Sequence, residues 1–170
     1  MALLNICTYP DPVLRQKAEC VKNIDNGLQR LIDDMIDTMY DAPGVGLAAN
    51  QVGHPLSVMV VDIQREECEY GLIVLINPEL VSAQGEITFE EGCLSVPDYF
   101  ATVKRHGEIV VRGLDRDGRT IQIAASGMLA IALQHEMDHL EGKLFIDRIS
   151  SIARDIFKRR WKKKLKEELE

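Results

Sequence analysis

The segment His135-Glu136-Met137-Asp138-His139 carries the clearest chemical signal in this chain. On an α-helix, residues four apart share a face, so His135 and His139 can aim two imidazoles at one metal ion. Glu136 then stands beside the metal without having to ligate it. From there its carboxylate can take a proton from a water that the metal activates and return it to a leaving amine. Two histidines at this spacing also occur by chance on polar helix faces. Here Met128, Leu129, Ile131, Ala132 and Leu133 make the segment apolar, which predicts a deeply buried helix. Buried imidazoles need partners, and a metal supplies them.

A catalytic metal site of this kind takes three protein ligands and keeps one position open for water. Downstream of the pair, Glu141 is the only nearby acid to consider, and two residues past His139 it falls on a different helix face. Cys93 is better placed. It sits in Glu90-Glu91-Gly92-Cys93-Leu94-Ser95-Val96-Pro97, where glycine before and proline after predict a fixed loop leaving a strand. Spacing alone leaves two readings of Cys93 open, a metal ligand or a small buried hydrophobe. These parts describe a metal-dependent hydrolase, of which a general peptidase with the H-E-x-x-H pattern is one kind. A non-catalytic module with a structural metal fits less well, because structural zinc sites close with four protein ligands and only three are well placed here.

The elements that must position these residues follow from periodicity. Leu28, Leu31, Ile32, Met35, Ile36, Met39 and Tyr40 keep helical spacing, with Asp25 or Asn26 as N-cap and Pro43-Gly44 as the stop. Strand-like stretches follow at Ser57 to Ile63, Leu72 to Ile76, Ile87 to Glu90, Ala101 to Lys104, Glu108 to Leu114 and Thr120 to Ala124. The last two flank Asp115-Arg116-Asp117-Gly118, a hairpin-turn composition that predicts antiparallel pairing. A second helix is expected from about Gly127 to Glu141, ending at Gly142. A third runs from about Ser150 toward the end, with Ile152, Ile156, Phe157 and Leu165 assigned to its inner side. Helices segregated from antiparallel strands give an α+β class, with antiparallel sheets around a central metal-bearing helix and a C-terminal helix.

A chain of 170 residues suits one domain, 1–170, and no repeat or flexible linker divides it. The charged fraction of 28% and the hydrophobic fraction of 46% are ordinary for a soluble protein, and no run is long enough to span a membrane. The first residues lack the basic and apolar regions of a signal peptide, and the four cysteines contain no C-x-x-C pair, so reduced thiols and a cytoplasmic location are expected. From Arg154 to Glu170, eight basic less four acidic side chains give +4 within a chain of net charge −7. Tail and body are therefore suited to different partners.

Three segments, Gly44-Val45-Gly46-Leu47-Ala48-Ala49-Asn50-Gln51, Glu91-Gly92-Cys93-Leu94-Ser95 and Gln134-His135-Glu136-Met137-Asp138-His139, resemble in order and spacing the three signature motifs of the peptide deformylases. The resemblance covers nearly the whole chain. It implies an enzyme of protein biosynthesis that removes the formyl group from the N-terminal formyl-methionine of nascent polypeptides and releases formate. It further implies that Cys93, His135 and His139 ligate the metal, that Glu136 is the general acid/base, and that the Gln51 side chain and the Leu94 backbone N–H stabilise the oxyanion. The implied metal is Fe2+, one per chain, with Zn2+, Ni2+ or Co2+ as substitutes, and the chain is expected to be a monomer.

Without the resemblance, Gly44-Val45-Gly46 reads as a helix stop and turn. With it, the segment becomes an extended edge for a peptide backbone, faced by Gly92 from the other side. Ile131 and Ala132, with Met128 one turn earlier, stand on the metal side of the helix; such residues are more often core, but they match family positions lining the methionine slot. Phe100 stands where some members carry an arginine, and Pro43 replaces an acid common before the first motif. The tail Lys158-Arg159-Arg160-Trp161-Lys162-Lys163-Lys164 reads either as a solvated helix face or as a surface for ribosomal RNA, with Trp161 offered for stacking. Related deformylases contact the ribosome through similar helices.

Overall fold

Asp25 starts helix α1 (Asn26–Asp41) by accepting a hydrogen bond from the Leu28 N–H at 2.8 Å, a cap contributing about 1 kcal/mol. Leu28, Ile32, Met35 and Met39 recur at helical spacing and are all buried. The computed structural model describes residues 2–169; Met1 and Glu170, the ends of the expected domain, lie outside the described residues.

Seven strands follow among the described residues: β1 (Gly46–Ala48), β2 (Val58–Val61), β3 (Ile73–Gln84), β4 (Ile87–Cys93), β5 (Val96–Arg105), β6 (Glu108–Leu114) and β7 (Thr120–Ser126). Five form one antiparallel sheet in the order β1-β2-β3-β6-β7, and β4 and β5 pair separately. The predicted turn joins β6 to β7, with the Asp115 N–H bonded to the Arg119 carbonyl at 2.8 Å. The short strand β1 was not foreseen as a strand.

All four residues of β2 are buried because both faces of the sheet are covered. Met59 and Val61 pack with Leu129, Ala130 and Leu133 of helix α2 (Gly127–Leu140), while Val58 and Val60 pack with α1. Helix α2 is thus held against a sheet, and the α+β class with a central helix is what the fold shows.

Helix α2 stops at Gly142, whose φ of 75° is left-handed. A Cβ there would stand 2.5 Å from the Arg15 carbonyl oxygen. Gly142→Ala is expected to cost more than about 1 kcal/mol, read as a lowered Tm; an unchanged Tm would refute this account of the turn.

Helix α3 (Ser151–Glu168) corrects one expectation. Of the residues assigned to its inner side, Phe157 alone is buried, and its companion is Trp161, while Ile152, Ile156 and Leu165 face outward. The helix docks through aromatic complementarity rather than an aliphatic stripe: Phe157 meets Tyr99 and Tyr9 at centroid distances of 4.5 and 5.4 Å. Trp161 is therefore not available for stacking on RNA.

Candidate metal centre

The three elements that carry the motifs meet at one point. Cys93 ends β4, where a tight turn through Leu94 and Ser95 leads into β5, and His135 and His139 project from one face of α2. One donor atom from each of Cys93, His135 and His139 lies within 4.8 Å of the others. The Cys93 Sγ to His139 Nε2 distance is 3.3 Å. One thiol and two imidazoles, with three protein ligands and room for a fourth, fit a catalytic transition-metal site.

Behind the ligands lies a buried ionic network. His135 Nδ1 is 3.0 Å from Glu91 Oε1, which fixes the ring and leaves Nε2 for a metal. Arg105 grips Glu91 with two N–H donors, both at 2.8 Å, and donates to Asp138 at 2.6 Å. Arg148 donates to both oxygens of Asp138. The Arg105 side chain is only 2% exposed. Burial would raise the carboxylates of Glu91 and Asp138, yet these guanidinium groups hold both below the usual range. Sequence reasoning assigned none of these four residues. Asp138 inside the helix motif and Glu91 two residues before Cys93 were the available signals, whereas Arg105 and Arg148 offered none.

Glu136 is buried beside the three candidate donors, with Oε1 among the buried polar atoms that lack a partner among the described residues. Burial pushes its carboxyl up to about 7 against the lowering pull of His135 and Arg105, a value suited to accepting and returning a proton near neutrality. Burial would lower His135, but Glu136, Cys93 and Glu91 outweigh it and hold the imidazole well above its ordinary value. His139, buried and facing that charge, lies well below it.

Gln51 is aimed by its neighbours. Its Oε1 accepts from the Ala48 N–H at 2.9 Å, and its Nε2 donates to Ser95 Oγ at 3.0 Å and points at Cys93 Sγ from 3.7 Å. The Ser95 N–H approaches the same sulfur at 3.4 Å.

A cleft of about 470 Å³ opens onto the ligands. Gly44, Val45, Gly46, Gln51, Gly92, Cys93, Leu94, Ile131, Ala132, His135 and Glu136 all line it, together with Met128 and Phe100. His139 lies deeper. The glycine at 46 makes room within the site itself, because a Cβ there would meet Glu136 Oε2 at 2.6 Å. At Gly44 and Gly92 the corresponding space borders Leu94 and the Phe100 ring.

Comparison with known proteins decides between the hydrolases this geometry permits. The Polypeptide deformylase family profile matches residues 3–155. The chain belongs to the peptide deformylase family. Its deformylase relatives include the peptide deformylase of Syntrophobacter fumaroxidans, 70% identical over 98% of both chains. That of Thermodesulfovibrio yellowstonii is 52% identical over 96% of this chain and 99% of its own. Among solved deformylases, the Ehrlichia chaffeensis enzyme superposes with a TM-score of 0.92 at 38% identity, covering 99% of this chain and 100% of that one. This is a metal-dependent hydrolase family that removes the N-formyl group from nascent chains, and the general peptidase reading gives way to it. No helix among the described residues is long and apolar enough to cross a membrane.

Proposed function

We propose that Cys93, His135 and His139 hold one Fe2+ and that deformylation takes place in the cleft beside them. The observation that carries this reading is the convergence of three donor atoms within 4.8 Å next to the buried carboxyl of Glu136. Sulfur, nitrogen and water donors also suit Zn2+, Ni2+ and Co2+, which serve as substitutes. When bound, the metal supplies Lewis acidity, activating a water and polarising the formyl carbonyl.

The chain's own groups do the rest. Glu136 takes the proton released as water adds to the formyl carbon. The Gln51 amide and the Leu94 N–H receive the negative charge that grows on the formyl oxygen. Glu136 then delivers its proton to the departing nitrogen, the C–N bond breaks, and formate and a free amine result. Met128, Ile131 and Ala132 line the cleft and offer an unbranched methionine side chain an apolar slot. The peptide backbone lies along Gly44-Val45-Gly46, with Gly92 opposite.

Losing one oxyanion donor costs ~10²–10³ in rate. Gln51→Ala should therefore fold normally, keep its metal and lose kcat by that order; turnover like that of the parent enzyme would remove Gln51 from the reaction. We further assign the chain to the cytoplasm as a monomer with a single domain, 1–170. Its basic C-terminal helix contacts ribosomal RNA through exposed Arg159, Arg160 and Lys163, not through Trp161. Replacing these three by glutamine should weaken ribosome co-sedimentation and make its dependence on salt shallower; unchanged pelleting would defeat the contact.

A further inference from the structure

The two motifs that carry the proposed oxyanion donors are splinted together by a segment outside either. The Cys7 N–H donates to the Gln51 carbonyl at 2.6 Å, and two residues later the Tyr9 N–H donates to the Ser95 carbonyl at 2.7 Å. Cys7 and Tyr9 thus tie the backbone of Gln51 to the turn that presents Leu94. The strap is clamped in turn from α3: the Trp161 Nε1–H donates to the Tyr9 carbonyl at 3.1 Å. The indole and the Tyr9 ring meet edge to face at 5.9 Å, and both rings contact Phe157. Every link is a direct hydrogen bond or ring contact, and Trp161 is 8% exposed.

We propose that Trp161 is a positioning residue for the oxyanion donors, acting through the Cys7–Tyr9 strap on the spacing between Gln51 and Leu94. This rests on the oxyanion reading given above. The hydrogen bonds have the right character for such a role, since two backbone bonds fix a distance whereas packing alone leaves it soft. The other contact between α3 and the cleft does not compete with it: Lys164 reaches Asp98 at 3.5 Å, but that carboxylate is 88% exposed, and a pair so solvated constrains little. The indole N–H is the distinctive element: phenylalanine keeps a ring against Tyr9 and Phe157 but loses the bond to the strap together with part of the indole's volume.

A misplacement of 1 Å can cost ~10² in rate, and loss of one hydrogen bond to the strap should move the donors less. Trp161→Phe is expected to lower kcat roughly three- to tenfold with KM and metal content nearly unchanged and Tm modestly lowered. Trp161→Ala should lower kcat further, and Lys166→Ala, exposed on the same helix, should not lower it. The decisive reading is a double-mutant cycle with Gln51→Ala: if Trp161 acts through the donors, its effect shrinks in the Gln51→Ala background. A kcat for Trp161→Phe equal to that of the parent, or an effect fully additive with Gln51→Ala, overturns the proposal. If Gln51→Ala is itself without effect, the oxyanion reading fails instead, and the two failures are told apart by the single variants.

Discussion

Glu136→Gln is expected to leave the protein folded and metal-loaded while kcat falls by ~10²–10⁴, the range for loss of a positioned general acid/base. The substitution is nearly isosteric, which matters at this site. Gly46 lies so close that a Cβ there would meet the Glu136 carboxyl oxygen at 2.6 Å, so a shorter or bulkier replacement would disturb β1 as well as the chemistry. Oε1 has no partner among the described residues although it is buried, and a group left unpaired at such a cost is one reserved for a ligand. Steady-state kinetics on a formylated peptide, with metal content measured alongside, checks the prediction. A Glu136→Gln enzyme with kcat within a few-fold of the parent would show that the proton is carried by another group.

Arg105→Met should produce the largest loss of stability among single changes in the site's surroundings. Arg105 is the cation shared by Glu91 and Asp138, and all three lie at 12% side-chain exposure or less. Removing one partner from a buried ion pair costs about 3–5 kcal/mol, because the remaining charge is left uncompensated. Arg148 still holds Asp138, so the carboxylate left without a guanidinium, with His135 its remaining partner, would be Glu91. That residue orients His135, and loss of such an outer partner typically weakens metal binding 10–100-fold. Denaturant unfolding of the variant and a competitive metal titration therefore test the two ends of one network. A loss below about 1 kcal/mol with unaltered metal affinity would mean that the network is ornamental.

The catalytic helix was legible in the sequence because its signal is local: two histidines four apart on an apolar stretch need only helix geometry to converge. The sheet was legible for the same reason, since β6, β7 and their turn announce themselves by alternation and by Asp115 to Gly118. What was not legible depends on contacts between distant segments. Cys93 was a ligand candidate from its loop, but spacing left it open between ligand and buried hydrophobe, and the resemblance favoured the ligand. Arg105 ends a strand like any surface arginine, and only the packing of β5 against α2 makes it a buried hub. On α3 the aliphatic residues Ile152, Ile156 and Leu165 suggested a face that the structure leaves outside. The pair Phe157 and Trp161, four apart, was the true signal, and it could be chosen only by knowing that Tyr9 and Tyr99 wait opposite.

The cleft also sharpens what the glycines of the first motif do. Gly46 is needed at least as much for Glu136 as for a passing substrate backbone, which links the first motif to the third through one contact.

We propose that this chain hydrolyses a formyl amide at a metal held by Cys93, His135 and His139. This is tested most directly by measuring formate released from formyl-Met-Ala-Ser by anaerobically purified protein, normalised to bound metal, beside the Cys93→Ala variant. The expected result is one metal per chain, one formate per free methionine amine, no cleavage between Met, Ala and Ser, and loss of both metal and formate release in the variant. Metal-loaded parent protein that releases no formate, or a Cys93→Ala variant that keeps both metal and activity, would contradict it.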